Sequence, residues 1–167
     1  MQCKKIPELI CLDTYNGNYF EYEAAVYSQY EETYENKKFY YNGKPIYQKK
    51  IPLFKQKSCT FWHIISSGNK EDNRTPDLRR YERIRWPGFI LEHCISKCNN
   101  ILVWENKRGG KTRTLLWCKD INYLVVLDKR KGYYLFWTAY PLTYKNMERK
   151  LQKEYEEYSK KDAKTAY

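Results

Sequence analysis

The sequence predicts an α+β fold in which N-terminal helices pack on a four-stranded antiparallel sheet and a C-terminal helix follows. Three observations carry that expectation. A Tyr/Ala/Glu-rich stretch near the start lacks Gly and Pro, residues 101–141 alternate β-favouring runs with short polar turns, and the chain closes on a charged segment with apolar residues at helical spacing. At 167 residues the chain suffices for one domain with its own core. Its parts are a helical N-terminal extension (1–50), a central core (51–143) and a C-terminal helix with its tail (144–167).

The first helix is expected from about Tyr19 to Tyr34, after the Asn16-Gly17 turn, because Tyr22, Tyr27, Tyr30 and Tyr34 fall on one broad stripe. Asn42-Gly43 then separates two aromatic stretches, a hairpin signal weakened by Pro45. The apolar run SCTFWHII, ended by Ser66, Ser67 and Gly68, predicts a buried strand. Thr75 is placed to cap a helix with Pro76 at its first position, carrying Leu78 to Ile84 until Trp86-Pro87-Gly88 interrupts it; Phe89 to Cys94 makes a second short helix. Four strands follow, ILVWEN, TRTLLWC, NYLVVLD and YYLFWTAYP, joined as an antiparallel meander. In the final helix Met147, Leu151, Tyr155 and Tyr158 form the apolar stripe.

The net charge of +11 is unevenly placed. Acidic and basic residues cancel over 1–50, whereas 51–140 carries a net +9 and eight of the nine arginines fall between Arg74 and Arg130. Guanidinium groups grip phosphate as a planar fork and stack on bases, so a polyanionic partner is expected, and the 17% aromatic content adds rings able to stack on unpaired bases. A solvated basic face is the competing reading of the charge, and core packing that of most of the rings. No run of about 18 apolar residues and no secretory leader is readable, which predicts a cytoplasmic protein without a membrane partner. The six cysteines then read as thiols, and HCISKC lacks the second ligand pair of a zinc site, so no metal and no cofactor are expected.

His63, at the end of its apolar run and beside Ser66 and Ser67, suits proton transfer next to a phosphate; a hydrogen-bonded core histidine is the competing reading. Period-two alternation places Tyr134, Phe136, Thr138 and Tyr140 on one face of the last strand, with Tyr133, Leu135 and Trp137 on the other. Arg113, opposite Thr112 and Thr114, reaches the Thr138/Tyr140 pair only if the strand register allows it.

The blocks NGKPI, FWHIISSG, RTPDLRRYERIRWP, ILVWENKRGGKTRTLLWC and YLVVLDKRKGYYLFWTAYPL, in that order between about Phe39 and Tyr158, resemble the phage RlfA-like family. That family is grouped with the phage members of the barnase–EndoU–colicin E5/D–RelE-like nuclease superfamily. The resemblance implies a nuclease-like core over 51–143 and a metal-independent RNase in the host bacterial cytoplasm. Its strand-end histidine corresponds to His63 with Ser66 and Ser67, its sheet arginine to Arg113, and its terminal-strand motif to Thr138 and Tyr140. Its Arg-rich helix block corresponds to Arg79, Arg80, Arg83 and Arg85.

On that reading the ribose 2′-hydroxyl attacks the adjacent phosphorus, giving a 2′,3′-cyclic phosphate. His63 serves as acid or base, Arg113 neutralises the phosphorane, and Thr138 and Tyr140 position phosphate oxygens or protonate the leaving oxygen. Ser66, Ser67 and the four arginines bind substrate. RNA, whether tRNA or mRNA, is the expected partner, with a cognate inhibitor protein as a second candidate. Two further classes stay open: a basic nucleic-acid-binding regulator without catalysis, and a protein-interaction module.

Overall fold

The computed structural model describes residues 5–68, 70, 73–95 and 100–165. A 3₁₀ turn at Leu12–Tyr15 leads into α1, Tyr19–Tyr30, whose cap is Asn18: its side chain accepts from the Glu21 amide. The helix runs on as one π turn, Glu31–Glu35, so Tyr22, Val26, Tyr30 and Tyr34 all stay buried along one line. Tyr34 locks that end, donating to the Ile84 carbonyl at 2.7 Å and accepting from the Gly88 amide at 3.0 Å. Gly88 packs closely there: a Cβ would lie 2.6 Å from the Thr33 methyl and force that side chain to shift.

Asn42 and Gly43, with φ of 48° and 72°, make the two-residue turn between β1, Phe39–Tyr41, and β2, Lys44–Gln48. Residues assigned to a helical extension thus form two strands of the main sheet. The apolar run that reads as a strand is a helix, α2, Cys59–Ile65. Every one of its residues is buried, so neither periodicity is visible in the sequence, and the decisive signal is Ser58, whose Oγ accepts from the Phe61 amide and donates to the Tyr30 hydroxyl.

Ser66–Ser67 forms a two-residue strand, β3, against β4, Thr75–Pro76. The helix expected to start at Pro76 is instead capped by Asp77, which accepts from the Arg79 amide, and runs as α3, Leu78–Glu82. Pro87 does not interrupt the chain: it sits in the first turn of α4, Trp86–Ile95, where its missing N–H costs nothing.

The meander is present as β5 (Ile101–Arg108), β6 (Lys111–Cys118), β7 (Tyr123–Lys129) and β8 (Tyr134–Pro141), all antiparallel. It is not the whole sheet. β2 adds to the outer edge of β8 in parallel, Ile46 opposite Tyr134, giving a mixed six-stranded sheet in the order β1-β2-β8-β7-β6-β5. The last helix, α5, spans Lys145–Thr165.

The sheet separates two cores. On the first face Leu116, Tyr123, Val125, Leu127, Tyr134 and Phe136 meet α1, α2, α3 and α4. On the second, Trp104, Leu115, Trp117, Leu124 and Val126 meet Leu151, Met147, Tyr155 and Tyr158 of α5, the stripe expected from the sequence. No helix among the described residues is long and apolar enough to cross a membrane.

Candidate functional site

A β-bulge decides which side chains share a face. Leu127 pairs with Phe136 but Val126 pairs with Thr138, so Trp137 is the extra residue and the alternation of β8 slips by one. Tyr134 and Phe136 point into the first core. Beyond the bulge Ala139 takes over that side, while Trp137 and Tyr140 pack on the second core and Thr138 sits opposite Val126 of that core. The expected grouping of Tyr134, Phe136, Thr138 and Tyr140 is therefore corrected: the bulge turns Thr138 and Tyr140 to the second face. Arg113, in phase with Leu115 and Trp117, points there too, its guanidinium 4.2 Å from the centre of the Trp137 ring.

α5 covers the β5 side of this face and leaves the β8 side open. On the open side Arg80 lies 5.0 Å from the Tyr140 ring centre, and the Lys111 ammonium is 5.9 Å from that of Trp137. The Tyr140 phenol also bonds Arg108; burial pushes its pKa up, with Arg108 and Arg80 pulling it back. It stays a neutral donor among cations. Arg113 is 3.2 Å from the fully buried Asp128 carboxylate, which also pairs with Arg130. Burial lowers the Arg113 pKa and Asp128 opposes that shift.

The end of α2 closes the open half along β8 beyond Phe136, where the pairing with β2 stops. Thr138 donates to the His63 carbonyl at 2.9 Å. Arg74 donates to the carbonyls of Ser66 at 2.8 Å and Gly68 at 3.1 Å, and Arg80 to that of Ser66 at 2.7 Å and of His63 at 3.4 Å. The His63 carbonyl lies in the last turn of α2 and lacks an intrahelical partner, and those of Ser66 and Gly68 follow it in the chain; two guanidiniums satisfy all three. Desolvation lowers the Arg80 pKa, with Asp77 as the leading opposing charge. The Ser66 hydroxyl bonds the Trp62 carbonyl and accepts from Arg74 at 2.9 Å.

His63 belongs to α2, not to a strand, and is 3% exposed. Its ring meets Trp137 edge-on at 5.2 Å and carries Nε2 3.7 Å from the Cys59 sulfur. Trp137 thus touches both His63 and Arg113. Of the expected site, His63, Ser66, Arg80, Arg113, Thr138 and Tyr140 come together. Ser67 is exposed on β3, opposite Thr75.

Three arginines do not join the cluster. Arg79 is largely exposed and faces Asp77 at 3.5 Å. Arg83 donates to the Arg79 carbonyl at 2.9 Å and stacks on Trp86 at 4.9 Å, while Arg85 donates to the Glu8 carbonyl at 3.0 Å. Arg83, expected to share a helical side with Arg79, instead caps the C-terminal end of α3 with non-helical backbone. The sequence reading omits Arg74, Arg108 and Trp137 from the site. Arg74 stands alone in a polar loop and gives no local signal; Trp137 is visible in FWTAYP, but only the bulge turns it toward Arg113.

The sheet end beside this cluster is basic. Arg113 pairs with Asp128 across β6 and β7, so the β5–β6 and β7–β8 turns lie at one end and bring Lys107, Arg108 and Lys111 near Lys129, Arg130 and Lys131. Glu105 bonds Lys129 at 2.7 Å and Glu154 lies 3.4 Å from Arg108. Lys107, Lys111 and Lys131 are exposed. Among the described residues no three His, Cys, Asp or Glu side chains are gathered to hold a metal. Cys98 and the Cys94 side chain lie outside the described residues; His93 Nδ1 is 2.7 Å from the Phe89 carbonyl.

No protein-family model matches this chain, and no curated protein or solved structure matches it.

Proposed function

We propose that the open half of the second sheet face binds RNA and cleaves it without a metal ion. The observation that carries this reading is the gathering of Arg80, Arg108 and Arg113 around the partly exposed Tyr140 and Trp137, with a basic rim beside them. Guanidiniums suit the phosphate, and an indole and a phenol suit an unstacked base. The resemblance to the phage RlfA-like family supports the same chemistry.

In the proposed reaction the 2′-oxygen bonds to phosphorus, its proton passes to His63, and the P–O5′ bond breaks. Tyr140, kept protonated by its burial, gives its proton to the departing 5′-oxygen. Arg80 and Arg113 stabilise the charge that develops on the non-bridging oxygens. For His63 to take part, the Trp137 indole must turn aside, which base stacking on that indole would drive.

A second reading is binding without cleavage. It is favoured by the 3% exposure of His63 and by the Asp128 carboxylate that already pairs Arg113. Incubating the purified protein with end-labelled tRNA and mRNA in EDTA separates the two. Products ending in 2′,3′-cyclic phosphate that are lost in Tyr140→Phe support cleavage; intact RNA retarded on a gel supports binding alone; no change in either overturns both.

A further inference from the structure

Against α2 lies a cavity of about 520 Å³ that borders the cluster above, sharing Ser66 and Arg74 with it. Leu53, Phe54, Trp62 and Pro76 make most of its wall, and Leu53 and Phe54 carry their apolar surface out to its lip, each more than half exposed. Exposed apolar groups grouped around a concavity are the usual mark of a site for an apolar ligand. The wall also holds one thiol, that of Cys59, beside the Lys55 amine and the Ser66 hydroxyl.

Cys59 and His63 are four residues apart on α2, so one helical turn stacks them and brings sulfur within 3.7 Å of Nε2. With the ring proton on Nδ1, Nε2 accepts from the thiol, which is the pairing of a nucleophile with its base. Cys11 and Cys118 do not line the cavity.

We propose that Cys59 is a site of S-acylation, taking an apolar acyl chain from a small-molecule acyl thioester into this cavity. His63 removes the thiol proton, and the Cys59 sulfur attacks the thioester carbonyl. A new carbon–sulfur bond forms, the donor's carbon–sulfur bond breaks, and the proton held by His63 goes to the departing thiolate. One thioester replaces another, so no oxidant or energy source is needed, and burial of the chain drives the transfer. Each methylene that enters the cavity favours the loaded protein by roughly fourfold, until the space is filled. The inference does not depend on RNA cleavage, because its readout is the mass of the protein.

The test is incubation of the full chain with acetyl-, butyryl-, hexanoyl- or octanoyl-coenzyme A, followed by intact mass and peptide mapping. A single adduct on Cys59 is expected, removable by hydroxylamine, with occupancy climbing from acetyl to octanoyl and absent in Cys59→Ser. His63→Gln is expected to slow loading at least tenfold. Because His63 is buried, Leu53→Asp provides a second arm at an exposed position: it is expected to flatten the dependence on chain length while leaving the fold intact by circular dichroism. Labelling of Cys11 or Cys118 in place of Cys59, equal loading by acetyl and octanoyl donors, or no adduct at all would overturn the proposal.

Discussion

The two faces of one sheet solve the burial of polar aromatic groups in opposite ways. On the first face Tyr22, Tyr30, Tyr34, Tyr81 and Tyr123 are fully covered by helices, and several phenols find a partner inside the protein: Tyr34 the Ile84 carbonyl, Tyr22 the Ile10 carbonyl, Tyr81 the Glu23 carboxylate. On the open half of the second face Trp137 and Tyr140 are only partly buried and meet guanidiniums instead. A phenol satisfied by backbone stabilises one packing. A ring flanked by cations at a surface keeps capacity for an anionic ligand. On the proposed reading the first face does structural work and the second recognition.

The largest effect that tests this division is on rate. Tyr140→Phe removes the proposed proton donor and is expected to lower RNA cleavage a hundredfold to ten-thousandfold while changing RNA affinity only a few-fold, measured by single-turnover kinetics beside filter binding. A parallel fall in affinity would make Tyr140 a binding residue only. On the first face Leu116→Ala should lower stability by about 2–5 kcal/mol in urea titration, because it opens a cavity between the sheet and its helices, with RNA affinity of the folded fraction unchanged.

The covered tyrosines also set a pH limit. Burial pushes the phenols of Tyr22, Tyr30, Tyr34, Tyr81 and Tyr123 above their ordinary value of 10.0. The folded state therefore holds protons that the unfolded state releases. Stability from these groups is complete below pH 10 and falls as pH rises beyond it, by up to about 1.4 kcal/mol per pH unit for each tyrosine. A steep alkaline unfolding transition above pH 10 is expected by circular dichroism; a flat profile would mean that these phenols reach solvent.

Tyr34→Phe leaves the Ile84 carbonyl and the Gly88 amide without their shared partner and should cost about 1–3 kcal/mol. The smallest expected effect sharpens the boundary of the second face. Arg108→Ala should weaken RNA binding and reduce the slope of log affinity against log salt by about one unit. Arg79→Ala, outside the cluster, should leave the slope unchanged.

How much of this was legible in the chain differs between segments. The four strands from Ile101 to Pro141 and the stripe of α5 follow from period and turn chemistry alone, because one side of each element is buried and the pattern records it. α2 defeats that logic. All its residues are covered, so the run carries no period and Ser58 is the one local clue to helix. Thr75-Pro76 has the local chemistry of a helix start, but pairing with Ser66-Ser67 takes those residues into a strand and passes the cap to Asp77.

The site divides along the same line. Residue types alone pointed to an imidazole, guanidiniums and hydroxyls acting on a polyanion, since charge and hydrogen-bonding capacity belong to each side chain wherever it sits. Their arrangement did not. A single extra residue at Trp137 turns Thr138 and Tyr140 from the first face to the second, and the end of α2 carries His63 to the edge of β8 from more than 70 positions away. Strand register and long-range packing are set by the free energy of the whole fold, so no local window of sequence contains them.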